Sequence, residues 1–201
     1  MDKKPTKGEY LEVLLRSPKT VFSTKDVALL WSESIGSKVS GRLNKYVKAG
    51  KLVRVRRGIY AKDKNYNRFE LATRIYTPSY ISFETVLTRG GINFQYYETL
   101  FVASYVTREI KVENQNIHFI RMKDYVLSNS AGIEEHPDGY SIATKERAAL
   151  DRVYTAKKYY FDNLSGFDWD KIFEILPIYR NKKMEKTIQK YFKNYQEEIK
   201  K

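Results

Sequence analysis

The stretch that decides the fold is SKVSGRLNKYVKAGKLVRVRRGIYAK, residues 37–62. Apolar residues recur in its first half at the spacing of one helical face, and basic or hydroxyl side chains occupy the other faces. Gly50 follows these residues and is predicted to end the helix, because glycine tolerates the left-handed conformation that is common just after a helix C-terminus. The pattern predicts a short helix that is capped by Ser37 and packs through Val39, Leu43, Tyr46 and Val47.

An arginine-rich β-hairpin is predicted directly after this helix. Apolar side chains largely alternate with arginines in residues 52–57, Gly58 marks a tight turn, and residues 59–62 return as a second strand. The hairpin therefore presents the guanidinium groups of Arg54, Arg56 and Arg57.

Two more helices are predicted upstream. Leucines at helical spacing indicate the first helix, in residues 10–16. Ser23 is placed to cap the second helix, with Asp26 in its first turn, and residues 35–36 form the turn into the third. Three helices followed by a basic hairpin predict a winged helix-turn-helix DNA-binding domain over residues 1–62.

The charge of the chain is concentrated in this predicted domain. The formal net charge is +13, and residues 1–62 hold 15 Lys and Arg against 5 Asp and Glu, a net +10. Residues 63–178 have a net charge of −2, and residues 179–201 have +5. A basic domain of this kind is typical of a protein that binds a polyanion, although basic proteins without nucleic-acid partners also exist.

A second domain of a different kind is predicted after a polar, turn-rich linker at residues 63–68. Residues 69–201 alternate helical patterns with β-branched and aromatic segments, so we expect an α+β domain with antiparallel strands and C-terminal helices. Ser82 and Thr144 are placed to cap two of its helices. The domain ends in an amphipathic basic helix, whose lysine face is either solvated or a second surface for DNA or a partner.

The composition of the chain indicates where in the cell the protein is expected. The chain has 201 residues and no cysteine, so neither disulfides nor thiolate metal sites are expected. No apolar run approaches the roughly eighteen residues of a membrane span, and the N-terminus MDKKPTKGEY lacks the apolar core of a secretory signal. We expect a cytoplasmic protein that does not contact membranes.

The motifs of several enzyme classes are missing from the sequence. His118 and His136 have no second ligand at a metal-binding spacing, and no Gly-rich phosphate loop is present. A Gly-Ser turn followed by paired aspartates, as in nucleotidyltransferases, is not found either, because the basic helix follows Gly36–Ser37. We therefore expect no catalytic residue, no metal and no cofactor.

The order of the segments resembles the AbiEi family, the antitoxins of type IV abortive-infection toxin–antitoxin systems in bacterial phage defence. The resemblance rests on the exit of the hairpin (GIYAK, residues 58–62), on PSYISFETVL (residues 78–87) and on YSIATKERAALD (residues 140–151). It covers most of the chain. The residues that carry it together are Arg57, Gly58, Ile59, Tyr60, Ile142, Ala143, Thr144, Glu146, Ala148, Leu150 and Asp151.

The resemblance implies a protein with two activities. The N-terminal domain is expected to bind double-stranded DNA at inverted repeats in its own promoter and to repress transcription. The C-terminal domain is expected to counter a nucleotidyltransferase-like toxin encoded beside it, without needing a stable complex. The alternative is an ordinary winged-helix transcription factor with a ligand-sensing or protein-interaction C-terminal domain.

The candidate site residues follow from these expectations. Base contacts are predicted near the start of the basic helix, for Ser37, Lys38, Ser40 and Arg42. Phosphate contacts are predicted for Lys45, Lys48, Arg54, Arg56 and Arg57. Glu146 and Asp151 are candidates for antitoxin function, against a structural alternative in which they support the helix start and pair with Arg147, Arg152 or a lysine.

Overall fold

The computed structural model describes residues 5, 6, 8–156 and 158–200. It confirms the predicted α+β fold. The chain forms two compact units, which are described separately. Unit 1 comprises Met1–Ile75 and the turn Pro137–Gly139, and unit 2 comprises Tyr76–His136 and Tyr140–Lys201.

Unit 1 contains helices around a small sheet. In chain order its elements are α1 (Glu9–Arg16), β1 (Val21–Ser23), α2 (Thr24–Leu30), α3 (Ser37–Lys48), β2 (Val53–Arg56), β3 (Ile59–Ala61) and α4 (Arg68–Ile75). The hairpin strands β2 and β3 pair antiparallel as predicted, and β3 lies in the centre of the sheet order β1-β3-β2. The three-residue strand β1 was not predicted, because it is too short to show a periodic pattern.

The two helix starts in unit 1 differ. Ser23 forms the predicted cap of α2: its hydroxyl accepts from the Asp26 amide at 3.1 Å, and the Asp26 carboxylate accepts from the Ser23 amide at 2.8 Å. The predicted Ser37 cap of α3 is wrong, because Gly36 occupies the capping position and Ser37 is the first helical residue. Since glycine has no side chain, the first turn of α3 begins without a side-chain cap.

The contacts around Glu70 bring residues 67–75 into unit 1. The Glu70 carboxylate is buried and accepts hydrogen bonds from the Thr20 amide (2.8 Å), the Thr20 hydroxyl (2.7 Å) and the Val21 amide (3.2 Å). The Asn67 amide donates to the Thr20 hydroxyl at 2.9 Å. The division between the units therefore falls after Ile75, whereas the sequence placed a linker at residues 63–68.

Unit 2 is built on a mixed six-stranded sheet of order β6-β7-β5-β4-β9-β8. The predicted antiparallel strands are present in the pairs β4–β5, β6–β7 and β8–β9, and the pairs β5–β7 and β4–β9 are parallel. The strands are β4 (Ser79–Ile81), β5 (Leu100–Ser104), β6 (Arg108–Val112), β7 (Gln115–Arg121), β8 (Ile133–Glu135) and β9 (Ser141–Ala143). The helices are α5 (Glu84–Arg89), α6 (Asp124–Leu127), α7 (Lys145–Thr155), α8 (Trp169–Ile175), the 3₁₀ turn Leu176–Tyr179 and α9 (Lys182–Glu198).

The predicted caps in unit 2 have different outcomes. The Thr144 hydroxyl accepts from the Arg147 amide at 3.2 Å and caps α7, as predicted. The prediction for Ser82 is wrong: Phe83 occupies the N-cap of α5 without a side-chain bond, and the Ser82 hydroxyl donates instead to Asp151 at 2.7 Å. A hydrogen bond to an ionised carboxylate is stronger than one between neutral groups.

The C-terminal helix α9 packs through its apolar stripe. Met184 and Ile188 are buried, and the rings of Phe192 and Tyr195 lie 5.2 and 5.5 Å from Trp169 on α8. Its lysines face solvent. Of the helices in the described residues, none combines the length and apolar character needed to cross a bilayer.

Candidate nucleic-acid interface

One face of α3 is anchored in the core of unit 1. Val39 and Leu43 are fully buried, and Tyr46 and Val47 pack partly buried against the same cluster. The cluster also includes Trp31, whose indole N–H donates to the Tyr10 carbonyl at 2.8 Å. This packing fixes which residues of α3 remain on the outside.

The outer face of α3 is polar, cationic and open. At helical spacing it exposes residues that carry hydrogen-bonding groups or positive charge, together with one glycine: Ser37, Lys38, Gly41, Asn44, Lys45 and Lys48. Four of these, Ser37, Lys38, Lys45 and Lys48, were predicted as DNA contacts. Gly41 and Asn44 were not among the predicted contacts, although their spacing from Lys48 places them on the same face.

Arg42 lies on the packed side of α3. Its guanidinium carbon is 3.5 Å from the centroid of the Tyr10 ring and 5.3 Å from that of Trp31. One guanidinium nitrogen lies 3.4 Å from the Glu33 carboxylate, which also accepts from the Tyr10 hydroxyl at 3.1 Å. Arg42 is therefore engaged within unit 1. Ser40 is half-buried at the margin of the packed face.

The β2–β3 hairpin, which follows α3 in the sequence, carries three arginines. Arg54 and Arg57 are exposed, and Arg56 is half-buried. The strand register shifts between Arg54 and Arg56, and Gly58 closes the turn with φ +78°, a conformation that glycine adopts readily. The bulge re-aims the arginines that follow it.

The turn of the hairpin is tied to the start of α2. The Thr24 amide donates to the Gly58 carbonyl at 2.9 Å, and the Thr24 hydroxyl reaches the same oxygen at 3.2 Å. The hairpin is therefore held by two connections, its pairing with β1 through β3 and this link at its tip.

The start of α3 offers further groups to an anion. The helix dipole makes this end positive, and the first-turn amides lack a capping side chain because Gly36 precedes them. Lys38 lies in the same turn. The outer face of α3, its N-terminus and the hairpin can thus all interact favourably with a phosphate backbone.

In unit 2, Asp151 lies in a fully buried polar cluster. Its carboxylate pairs with Arg147 at 3.2 Å and accepts from three hydroxyl groups, those of Tyr80 (3.0 Å), Ser82 (2.7 Å) and Tyr179 (2.6 Å). Arg147 also donates to the Val126 and Ala131 carbonyls, both at 2.7 Å, and to the Tyr80 hydroxyl at 2.9 Å. These contacts connect α7 to β4, to the end of α6 and to the 3₁₀ turn.

Burial is the largest single influence on the pKa values of this cluster. It raises the pKa of the Asp151 carboxyl, against the opposing effects of Arg147 and of the hydroxyl donors. Burial, together with the charge of Asp151, raises the pKa of Tyr80 and Tyr179 well above the usual tyrosine value. Burial alone disfavours the charged form of Arg147, but Asp151 and the two tyrosines reverse this effect and raise its pKa.

Glu146 is also buried, and its carboxylate contacts the start of α8 and the neighbouring Lys145. Its carboxylate accepts from the Asp168 amide at 3.1 Å and lies 4.0 Å from the Lys145 ammonium. Asp168 caps α8, so Glu146 helps to position the start of that helix. Neither Glu146 nor Asp151 presents a carboxylate on the surface of unit 2.

The two histidines, His118 and His136, each contact a different side chain. His118 is in β7, where its imidazole is 3.6 Å from the Glu109 carboxylate, and the ring of His136 stacks on Tyr140 at 4.4 Å. Within the described part of the chain, no cluster of three or more histidine, aspartate or glutamate side chains is arranged to hold a metal ion.

Comparison with known proteins adds no assignment. No protein-family model matches the chain, and no curated protein matches it significantly.

Proposed function

We propose that unit 1 is a winged helix-turn-helix module that binds double-stranded DNA. In this proposal α3 enters the major groove and the β2–β3 hairpin is the wing. The observation that carries it is the division of α3 into a packed apolar face and an exposed cationic face, directly followed by a hairpin with three arginines. A cationic helix face that was merely solvated would not require an adjacent cationic hairpin.

The residues divide into two roles. Ser37, Lys38 and Asn44 lie on the exposed face and are assigned to base edges, where asparagine has the donor and acceptor pair that adenine requires. Phosphate contacts are assigned to Lys45, Lys48, Arg54, Arg56 and Arg57. Ser40 and Arg42 are left out, because one is at the packed margin and the other is held by Tyr10 and Glu33.

We further propose that the chain represses its own promoter at inverted repeats and that unit 2 acts as an antitoxin against a nucleotidyltransferase-like toxin encoded beside it. The resemblance of the GIYAK, PSYISFETVL and YSIATKERAALD segments to the AbiEi family supports this proposal. The last of these segments supplies the buried Arg147–Asp151 pair. We therefore propose that this motif stabilises the fold of unit 2.

Salt-dependent DNA binding tests the proposal for unit 1. The double variant Arg56→Ala with Arg57→Ala is titrated onto the upstream promoter DNA at several salt concentrations. Loss of two phosphate contacts is expected to flatten the slope of log affinity against log salt by about 1.8 units. The matched control is Lys186→Ala with Lys190→Ala on α9, which removes the same charge from unit 2 and should leave the slope unchanged. Equal slopes for the wild type and the hairpin variant contradict the proposed wing.

A rescue assay tests the proposal for unit 2. Cells that express the neighbouring toxin are expected to grow when the full chain is supplied, and also when the Arg56→Ala, Arg57→Ala variant is supplied from an independent promoter. An ordinary transcription factor would not protect the cells in either form. Failure of both forms to rescue, with normal promoter binding by the wild type, therefore supports the alternative function.

A further inference from the structure

The outward face of β5, β7 and β6 carries a groove with aromatic and polar walls. Side chains alternate along these strands, so Leu100, Val102, Ile117 and Phe119 are buried beneath the sheet while their neighbours face outward. The groove has a volume of about 490 Å³. We name it the aromatic groove and define it by Thr99, Phe101, Glu109, Lys111, Asn116 and His118.

The strand register sets two rings of the groove side by side. Phe101 on β5 is directly opposite His118 on β7, and their ring centroids are 5.7 Å apart with a tilt of 45°. Tyr97 adds a third ring, edge-to-face with Phe101 at 5.6 Å. Phe101 and His118 are both partly exposed, so part of each side chain is open to a ligand.

Polar groups lie on the edge-strand side of these rings. Lys111 on β6 is directly opposite Asn116 on β7, and both side chains are exposed. An ammonium group suits an anion, and a carboxamide offers a donor and an acceptor in one plane. Glu109 is opposite His118, and its carboxylate lies 3.6 Å from the imidazole.

The combination selects one chemical class of ligand. A planar heterocycle can stack on the two rings, and the Asn116 carboxamide can hydrogen-bond to its edge. The Lys111 ammonium can pair with an attached phosphate. The volume lies within the range of about 300–1,000 Å³ that is typical of small-molecule sites. A purely apolar ligand would leave Lys111 and Asn116 without a function, and a protein strand added to β6 would pair with its backbone edge and not with the rings.

We infer that the aromatic groove binds a nucleotide, either free or within single-stranded RNA. The base stacks on Phe101 and His118, Asn116 contacts the base edge, and Lys111 contacts the phosphate. The inference does not depend on the proposed DNA-binding and antitoxin functions, because none of these residues belongs to unit 1 or to the buried Arg147–Asp151 cluster.

The two histidines of the chain allow ligand binding in the aromatic groove to be detected by NMR. In ¹⁵N-labelled full-length protein, the imidazole resonances of His118 and His136 are followed by NMR during titration with ATP, with GTP and with a ten-nucleotide single-stranded RNA. Binding in the aromatic groove shifts the His118 resonances, whereas those of His136 stay in place and serve as an internal reference. Shifts with the free nucleotides identify a nucleotide site, and shifts with the RNA alone identify an RNA site. No His118 shift with any of these probes, or equal shifts of both histidines, overturns the inference.

Variants separate stacking from the general attraction of a basic protein to RNA. Phe101→Leu keeps an apolar side chain but removes the stacking surface, and it is expected to weaken binding of the effective probe by about 5- to 150-fold. The control Tyr160→Leu removes an aromatic ring that is 77% exposed outside the groove and should leave affinity unchanged. If RNA is the probe, Lys111→Gln lowers the salt slope by about 0.7 units, and Lys190→Gln does not. Equal affinities of Phe101→Leu and Tyr160→Leu, both with wild-type melting temperatures, overturn the inference.

Discussion

The guanidinium group of Arg42 stacks on Tyr10, with its central carbon 3.5 Å from the ring centroid, and reaches Glu33 at 3.4 Å. The contact joins α3 to α1 and to the turn that precedes α3. Arg42 therefore contributes to the orientation of α3 and is not assigned to DNA.

Substitution of Arg42 should affect stability more than DNA contact. We expect Arg42→Gln to lower the unfolding free energy of unit 1 by about 1–2 kcal/mol, because it removes a cation–π contact and a partly exposed ion pair. Lys45→Gln, on the exposed face of the same helix, should leave stability unchanged and weaken promoter binding. The measurements are urea unfolding and a salt titration of DNA affinity. A stable Arg42→Gln protein with lost promoter specificity would place Arg42 at the DNA.

Gly41 offers a test in which stability and affinity move in opposite directions. A Cβ at this position would have no neighbour within 4 Å, so the chain itself does not require glycine in the middle of α3. Gly41→Ala should stabilise unit 1 by up to about 1 kcal/mol through helix propensity. If α3 approaches DNA closely at this residue, the same change weakens promoter binding, while Ser40→Ala at the packed margin leaves affinity unchanged. Tighter binding by Gly41→Ala would contradict the proposed orientation.

The buried Arg147–Asp151 pair should be essential for the stability of unit 2. Asp151→Asn leaves the Arg147 charge buried without its partner, which typically costs about 3–5 kcal/mol. Glu146→Gln, which retains a hydrogen-bond acceptor for Asp168, is expected to cost no more than about 1–2 kcal/mol. Each unit contains one tryptophan, Trp31 or Trp169, so ¹⁹F NMR of 5-fluorotryptophan-labelled protein follows their unfolding separately.

The same two variants decide whether these carboxylates act only through stability. Rescue from the toxin is compared at temperatures where each variant is folded. We expect the folded Glu146→Gln and Asp151→Asn proteins to rescue as the wild type does. A folded variant that fails to rescue would assign that carboxylate a direct part in antitoxin action.

Alkaline pH should destabilise unit 2 through Tyr80 and Tyr179. Burial raises the pKa of both hydroxyls, so above about pH 10 they remain protonated in the folded chain and ionise in the unfolded chain. The unfolded state then binds fewer protons, and stability falls as pH rises, by about 1.4 kcal/mol per pH unit for each tyrosine. Tyr80→Phe and Tyr179→Phe should each remove one such contribution between pH 10 and 11. Unfolding free energies measured across this range with the same pH dependence in the variants would contradict the assignment.

Local patterns in the sequence were sufficient for some features of the fold. The helical spacing of Val39 and Leu43 identified the packed face of α3, and Ser23 and Thr144 were correctly predicted as caps, because these features depend on neighbours within a few residues. The α+β class followed from the same patterns.

The features that the sequence did not predict depend on partners far along the chain. Arg42 is held by Tyr10, 32 residues away, and Ser82 donates to Asp151, 69 residues away. Glu70 extends unit 1 through bonds to Thr20 and Val21. The aromatic groove likewise requires the β5–β7 register that pairs Phe101 with His118. Periodicity within a single element contains no information on such pairings.

The bond from Thr24 to the Gly58 carbonyl has a consequence for the thermodynamics of the DNA binding that we propose for unit 1. Because the tip of the hairpin is already fixed to α2, docking on DNA need not fold or reorder this segment. Binding coupled to folding gives a large negative heat-capacity change, whereas association of a preorganised module reflects only the surface that the two partners bury. Calorimetry of promoter binding should therefore give a heat-capacity change that scales with the contact area. Thr24→Val removes the hydroxyl bond to Gly58 and keeps the amide bond, so it should weaken this link and leave the hairpin ordered before binding.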